Sequence, residues 1–151
     1  MIVKNYMSRQ VATISPDLTV GEGMKKLVEE KTNSLIVVDS DNRPIGLFSS
    51  YSVIQEVVPP YLKDNPSHSQ FGAEGTLDKY AKLMKDKKIS EVMFTGFHTL
   101  AEEDAMIEAA AYSIEAARRI LPVADKDGKL IGKVTRTCIK NALHDAMFKN
   151  S

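Results

Sequence analysis

Leu35-Ile36-Val37-Val38-Asp39 is a continuous apolar run that ends in an acid, and it returns as Leu121-Pro122-Val123-Ala124-Asp125. The spacing is 86 residues (121 − 35 = 86). Ile45-Gly46 and Ile131-Gly132, Met7 and Met93, and Thr13 and Thr99 keep that spacing, as do the conservative pairs Val3/Ile89, Ser49/Thr135 and Val53/Ile139. Such a repeat is one supersecondary unit used twice, each copy burying its apolar face against the other. Two copies also enclose a pseudo-twofold cleft, a natural ligand site.

Working outward from Leu35, the run suits a strand buried on both faces. Asp39 to Arg43 reads as a turn and Pro44 to Phe48 as a second strand, close enough for a hairpin. Before the run, Val11 to Ile14 reads as a short strand stopped by Ser15-Pro16-Asp17. A helix follows. Thr19 and Glu22 have capping-box spacing, and Val20, Met24, Leu27, Val28 and Lys31 trace one helical stripe. Ser50 to Val58 reads as a helix ended by Pro59-Pro60. The second copy gives a strand over Phe97 to Leu100, a helix capped by Asp104 and running to Ala117, strands over Ile120 to Ala124 and Leu130 to Thr135 around Asp125-Lys126-Asp127-Gly128, and a closing helix over Arg136 to Phe148. The expected fold is α+β, with two β-α-β-β-α repeats packed about a pseudo-twofold axis. Residues 1–58 form the first repeat and 89–151 the second. In the linker, 59–88, Pro59, Pro60, Pro66, Gly72 and Gly75 mark loop. Leu77, Tyr80, Ala81 and Met84 then predict a helix over Thr76 to Lys87, either a packed spacer or a lid or dimer contact.

The 151 residues carry a formal net charge of +0, so non-specific nucleic-acid binding has no bulk electrostatic support. No run approaches the roughly 18 apolar residues of a membrane span, and Met1 to Gln10 lacks a signal-peptide apolar region. One cysteine, Cys138, agrees with a reducing cytoplasm and reads as a small packed hydrophobe. His68, His98 and His144 share no metal-ligand spacing. Asp39/Asp41 and Asp125/Asp127 fall in hairpin turns, where aspartate is ordinary turn chemistry. Neither a nucleophile elbow nor a phosphate-binding glycine-rich loop is present, so no catalytic residue is assigned.

The order of these pieces resembles a tandem pair of cystathionine-β-synthase (CBS) domains. The opening segments are Val3 to Met7 and Ile89 to Met93. The strand and turn appear as Thr13-Ile14-Ser15-Pro16 and, more loosely, Thr99-Leu100-Ala101. The apolar strands run into Asp39 and Asp125, and the strand-to-helix elements are Gly46-Leu47-Phe48-Ser49 and Gly132-Lys133-Val134-Thr135. The resemblance covers nearly the whole chain outside the linker. It implies a non-catalytic regulatory module that binds AMP, ATP or S-adenosylmethionine in the cleft, forms a disc-shaped homodimer and acts on a regulated protein. The alternative is a scaffold that has lost its ligand and serves only dimerisation or protein interaction.

The ligand-binding residues so implied are Thr13, Ser15, Ile36, Ser49, Ser52, His98, Thr99, Ile120, Pro122, Thr135 and Arg136. Glycine at the strand end allows close backbone approach. A hydroxyl before the helix, Ser49 or Thr135, can bond a phosphate beside the free N–H groups of the helix start. Ile36 and Ile120 offer a purine wall. The aspartate that nucleotide-binding family members carry six residues after the glycine is replaced by Ser52 and Cys138. Hydrogen bonds to charged groups contribute roughly 1.5–3 kcal/mol each, so a standard ribose pose weakens by on the order of tenfold to several hundredfold. A ligand held mainly by its phosphates would use Arg118, Arg119, Lys133 and Arg136; the alternative is a solvated face with Glu102, Glu103, Glu108 and Glu115 as their partners.

Overall fold

The computed structural model describes residues 1–69, 75–115 and 119–149; Gly72, Ala116, Ala117 and Arg118 lie outside them. The first repeat contains β1 (Thr13–Ile14), α1 (Val20–Glu29), β2 (Ser34–Val38), β3 (Pro44–Ser49) and α2 (Ser50–Val57). The linker forms α3 (Pro60–Asp64) and α4 (Thr76–Met84). The second repeat contains α5 (Ile89–Val92), α6 (Met106–Tyr112), β4 (Ile120–Ala124), β5 (Leu130–Thr135) and α7 (Arg136–Phe148). β1 runs parallel to β2, β2 antiparallel to β3, and β4 antiparallel to β5.

The hairpins explain the repeated aspartates. Asp39 Oδ1 accepts from the N–H of Asp41 at 2.9 Å and of Arg43 at 3.0 Å. Asp125 Oδ1 accepts likewise from Asp127 at 2.9 Å and Lys129 at 3.0 Å. These carboxylates are tied to their own turns, the usual role of aspartate there.

Strand alternation sorts the apolar run between two cores. Leu35 and Val37 join Ile14, Val20, Leu27 and Phe48 under the helices. Ile36 points the other way and meets Leu47, Ile120 and Leu130, where the two sheets pack together. Side chains alternate across a strand, so a strand covered on both sides must be apolar throughout. The matching core of the second repeat holds Leu121, Val123, Val134, Ile139 and the buried Cys138.

The opening segments are exchanged between the repeats. Val3 is buried in the second repeat's core and Ile89 in the first repeat's core. Ser8 pairs with Lys133 through bonds of 2.9 and 2.8 Å, and Phe94 pairs with Leu47 through bonds of 2.9 and 2.8 Å. Each sheet is thus extended by a residue from the other copy. α4 packs on the first core through Tyr80 and Met84, and the chain beyond it is held to α1, with Val20 N–H donating to the Lys87 carbonyl at 2.8 Å.

Four local expectations are corrected. The predicted strand over Phe97 to Leu100 reduces to Leu100, which alone bridges Val123. In the first repeat Ile36 N–H donates to the Ala12 carbonyl at 3.1 Å; Pro122 occupies the equivalent position and has no N–H to offer His98. α6 begins at Met106 with Ala105 as N-cap, and Asp104 accepts from Ala101 N–H at 2.8 Å instead. Val28 is 73% exposed, so the α1 stripe is narrower than its spacing suggests. Lys31 lies beyond α1 with φ 54°. Thr32 N–H donates to the Leu27 carbonyl and Lys31 N–H to that of Val28, a Schellman ending with lysine in the left-handed position.

Candidate ligand-binding cleft

β3 runs into α2 at Ser49, whose extended backbone and short hydroxyl make it the helix N-cap. Ser49 Oγ accepts from Ser52 N–H at 3.1 Å and pairs with Ser52 Oγ at 3.1 Å. Ser50 N–H donates to the Asn33 carbonyl at 3.0 Å. Two of the helix's opening N–H groups, expected at a phosphate, are therefore engaged within the protein. Ser52, with its hydroxyl paired to Ser49, is the one buried polar side chain among the described residues.

Beside this turn lies a cleft of about 200 Å³. The first repeat lines it with Asn33, Ser34, Leu47, Gln55, Glu56 and the run from Ser49 to Ser52. The second repeat lines it with Val92, Met93, Phe94, Arg119 and Ile120. Asn33-Ser34 and Arg119-Ile120 are equivalent positions of the repeat, so the cleft sits where the two strand starts approach each other. Arg119 is exposed and makes no ion pair with another described residue. Gln55 Nε2 donates to Tyr51 Oη at 3.0 Å.

Of the eleven expected residues the structure brings Ser49, Ser52 and Ile120 together on this cleft. Ile36 is 1% exposed and sits in the contact between the sheets rather than on the lining. Thr13 and Ser15 line a separate depression with Asp17, Lys26 and Asp39. There Lys26 Nζ donates to the Thr13 carbonyl, and Ser15 Oγ accepts from Asp17 N–H. Thr99 is exposed, and Pro122 is buried within β4.

The second repeat uses its corresponding groups internally. Thr135 Oγ1 caps α7, accepting from Cys138 N–H at 3.4 Å. Arg136 Nη2 donates to the Ser113 carbonyl at 3.1 Å, at the end of α6. The His98 ring stacks on Tyr112 with centroids 3.9 Å apart. The glycines too are occupied by protein. A Cβ on Gly46 would stand 2.5 Å from Met93 Sδ, and one on Gly132 would collide with Met7 and lie 2.7 Å from the Ser8 carbonyl oxygen. Their close approach therefore receives methionine. Sequence reasoning did not select Asn33, Tyr51, Gln55, Glu56 or Phe94. The helical spacing from Ser52 to Gln55 and Glu56 was the available signal for two of them.

Among the described residues no group of histidine, cysteine and carboxylate side chains could hold a metal ion. None of their helices is long and apolar enough to cross a membrane.

Comparison with known proteins gives the family. The sequence model of the CBS domain matches residues 3–59 and 89–145. A CBS domain-containing protein of Dictyostelium discoideum is 29% identical over 143 residues, covering 95% of this chain and 91% of that one. Chloroplastic CBSX1 of Arabidopsis thaliana is 28% identical over 142 residues, covering 89% of this chain and 60% of that one. Among solved structures, the CBS-pair protein CBSX2 of Arabidopsis thaliana superposes with a TM-score of 0.78 at 24% identity, over 99% of this chain and 98% of that one. CBSX2 in complex with AMP gives 0.71 at 25% identity, over 97% and 98%. The CBS domain pair of protein MJ0100, in complex with 5′-methylthioadenosine and S-adenosyl-L-methionine, gives 0.68 at 18% identity, over 97% and 98%. Both copies of the repeat are matched in full order, and the chain belongs to the CBS domain family, with two CBS domains in tandem.

Proposed function

We propose that the cleft beside Ser49 binds an adenine mononucleotide or a related adenosine ligand, and that occupancy alters how this non-catalytic module contacts a regulated protein. The observation that carries this reading is Arg119, an exposed guanidinium without an ion pair among the described residues, on a cleft that both repeats line. Arginine meets a phosphate through two parallel hydrogen bonds. Ile120 and Phe94 supply apolar surface for a purine, and the Ser49 and Ser52 hydroxyls supply polar contacts. The complexes of CBSX2 with AMP and of MJ0100 with S-adenosylmethionine support the ligand class, so AMP, ATP and S-adenosylmethionine are the compounds to test. A volume of about 200 Å³ lies below the roughly 300–1,000 Å³ of most ligand pockets and favours a mononucleotide over a dinucleotide.

Thermal unfolding against AMP, ATP and S-adenosylmethionine tests this reading. A ligand at about 100 times its dissociation constant stabilises by roughly 2.7 kcal/mol, which raises the midpoint by about 5–11 °C at this chain length. No shift with any compound would favour the scaffold reading. That reading has its own support in the Ser50 and Ser52 N–H groups, already bonded within the protein.

The partner side of the proposal is a homodimer. An apolar groove between α6 and α7 is lined by Met106, Ile107, Ala110, Ile139, Ala142 and Leu143, and Ile107 is 79% exposed. Exposed apolar surface of this kind favours association. Sedimentation of Ile107→Asp as a monomer and of the parent chain as a dimer is the expected outcome. A reducing cytoplasm, in which Cys138 stays a buried thiol, completes the reading. Nucleic acid has no role in it, given the net charge of +0.

A further inference from the structure

Ser52 borders the cleft with a hydroxyl, whereas the vicinal hydroxyls of a ribose are held most firmly by a carboxylate accepting from both. One turn further along α2 stands Glu56. Four residues separate Ser52 from Glu56, so they share one helix face, and both line the cleft. Helical side chains lean toward the N-terminus, which returns the Glu56 carboxylate over the turn carrying Ser52. Glu56 is exposed and forms no hydrogen bond or ion pair with another described residue. The second repeat has no counterpart. Its equivalent position is Ala142, 5% exposed within the core beside α6 and α7, and the counterpart of Arg119 is Asn33. The charged cleft-lining groups are thus one cation and one carboxylate, set in the cleft beside Ser49.

We infer that Glu56 is the specificity-determining carboxylate of this cleft, accepting hydrogen bonds from the 2′- and 3′-hydroxyls of a ribose 5′-phosphate whose phosphate meets Arg119. The same carboxylate repels the phosphate and so admits the ligand in one direction. The inference rests on the nucleotide reading above and adds the group that selects ribose.

Isothermal titration of the full chain and of Glu56→Gln with AMP and with 2′,3′-dideoxyadenosine 5′-monophosphate tests it. The expected result is one AMP per chain, a loss of about tenfold or more in AMP affinity in Glu56→Gln, and no loss of affinity for the dideoxy compound in that variant. Unchanged AMP affinity in Glu56→Gln, or an equal loss for both compounds, overturns the role of Glu56 and leaves the nucleotide reading standing. Failure of the parent chain to bind either compound overturns both. The circular dichroism spectrum of Glu56→Gln should match that of the parent, since the side chain is exposed.

Discussion

Met93, from the opening segment of the second repeat, lies directly over Gly46 of the first, with Sδ 2.5 Å from where a Cβ would stand. Met7 makes the symmetry-related contact with Gly132. The two contacts differ in what surrounds them. At Gly46 the nearest atoms belong to the Met93 side chain, which is flexible and can move aside. At Gly132 a Cβ would also lie 2.7 Å from the Ser8 carbonyl oxygen, and Ser8 is fixed to Lys133 by two backbone bonds. Gly132→Ala should therefore destabilise by about 1–3 kcal/mol, lowering the thermal midpoint by roughly 2–12 °C, with Gly46→Ala showing the smaller loss. Denaturation of the two variants side by side decides this, and an equal or larger loss in Gly46→Ala would refute it.

The strand Leu35 to Val38 and the hairpin aspartates were legible because each carries its own local chemistry: a two-sided strand must be apolar, and Asp39 closes its own turn. The exchange of opening segments was not legible. A spacing of 86 residues pairs Val3 with Ile89 but is silent on which core receives each. The shortening of the strand before Leu100 was written in Pro122, whose missing N–H removes the bond that Ile36 makes. In the site, Ser49, Ser52 and Ile120 followed from position in the repeat. Arg119 and Arg136 are both basic residues near the second motif, and tertiary contact separates them.

That separation gives a test of which arginine serves the ligand. Arg136 donates to the Ser113 carbonyl at 3.1 Å, whereas Arg119 lines the cleft. Arg119→Ala should weaken AMP binding by about ten- to a hundredfold, the worth of hydrogen bonds to a charged group. Arg136→Ala should leave affinity within about threefold of the parent, because its partner belongs to α6. Titration calorimetry on the two variants reads this directly; loss of binding in Arg136→Ala alone would move the phosphate to the start of α7.

Lys31 ends α1 in the left-handed region, φ 54°, and the bonds from its own N–H to the Val28 carbonyl and from Thr32 N–H to the Leu27 carbonyl require that geometry. A non-glycine residue there costs roughly 1–2 kcal/mol, offset in part by the greater entropy glycine loses on folding, about 0.5–1 kcal/mol. Lys31→Gly should stabilise by about 0.5–1 kcal/mol and raise the midpoint by roughly 1–4 °C. Urea denaturation should show a higher transition midpoint with an unchanged slope. A fall in stability would mean that the lysine side chain contributes more than its backbone conformation costs.

Tyr6, in the opening segment, donates its hydroxyl to Asp145 Oδ2 of α7 at 2.8 Å, and Lys149 Nζ lies 2.9 Å from the same oxygen. The hydrogen bond from Lys149, followed by that from Tyr6, holds the Asp145 carboxyl below its ordinary value of 3.8. The bond to Asp145 raises Tyr6 above 10.0 and Lys149 above 10.5. A depressed carboxylate contributes stability above its unfolded pKa and loses it as pH falls through the lower folded value. A raised tyrosine or lysine contributes below its unfolded pKa and loses it as pH rises through the higher folded value. The stability difference between the parent chain and Tyr6→Phe should therefore be flat between about pH 5 and pH 9 and narrow on both sides of that range. Because these groups sit at the surface and salt screens them, the plateau should shrink in about 1 M salt. A difference that stays constant into the acid and alkaline ranges would refute the assignment to the Tyr6–Asp145 bond.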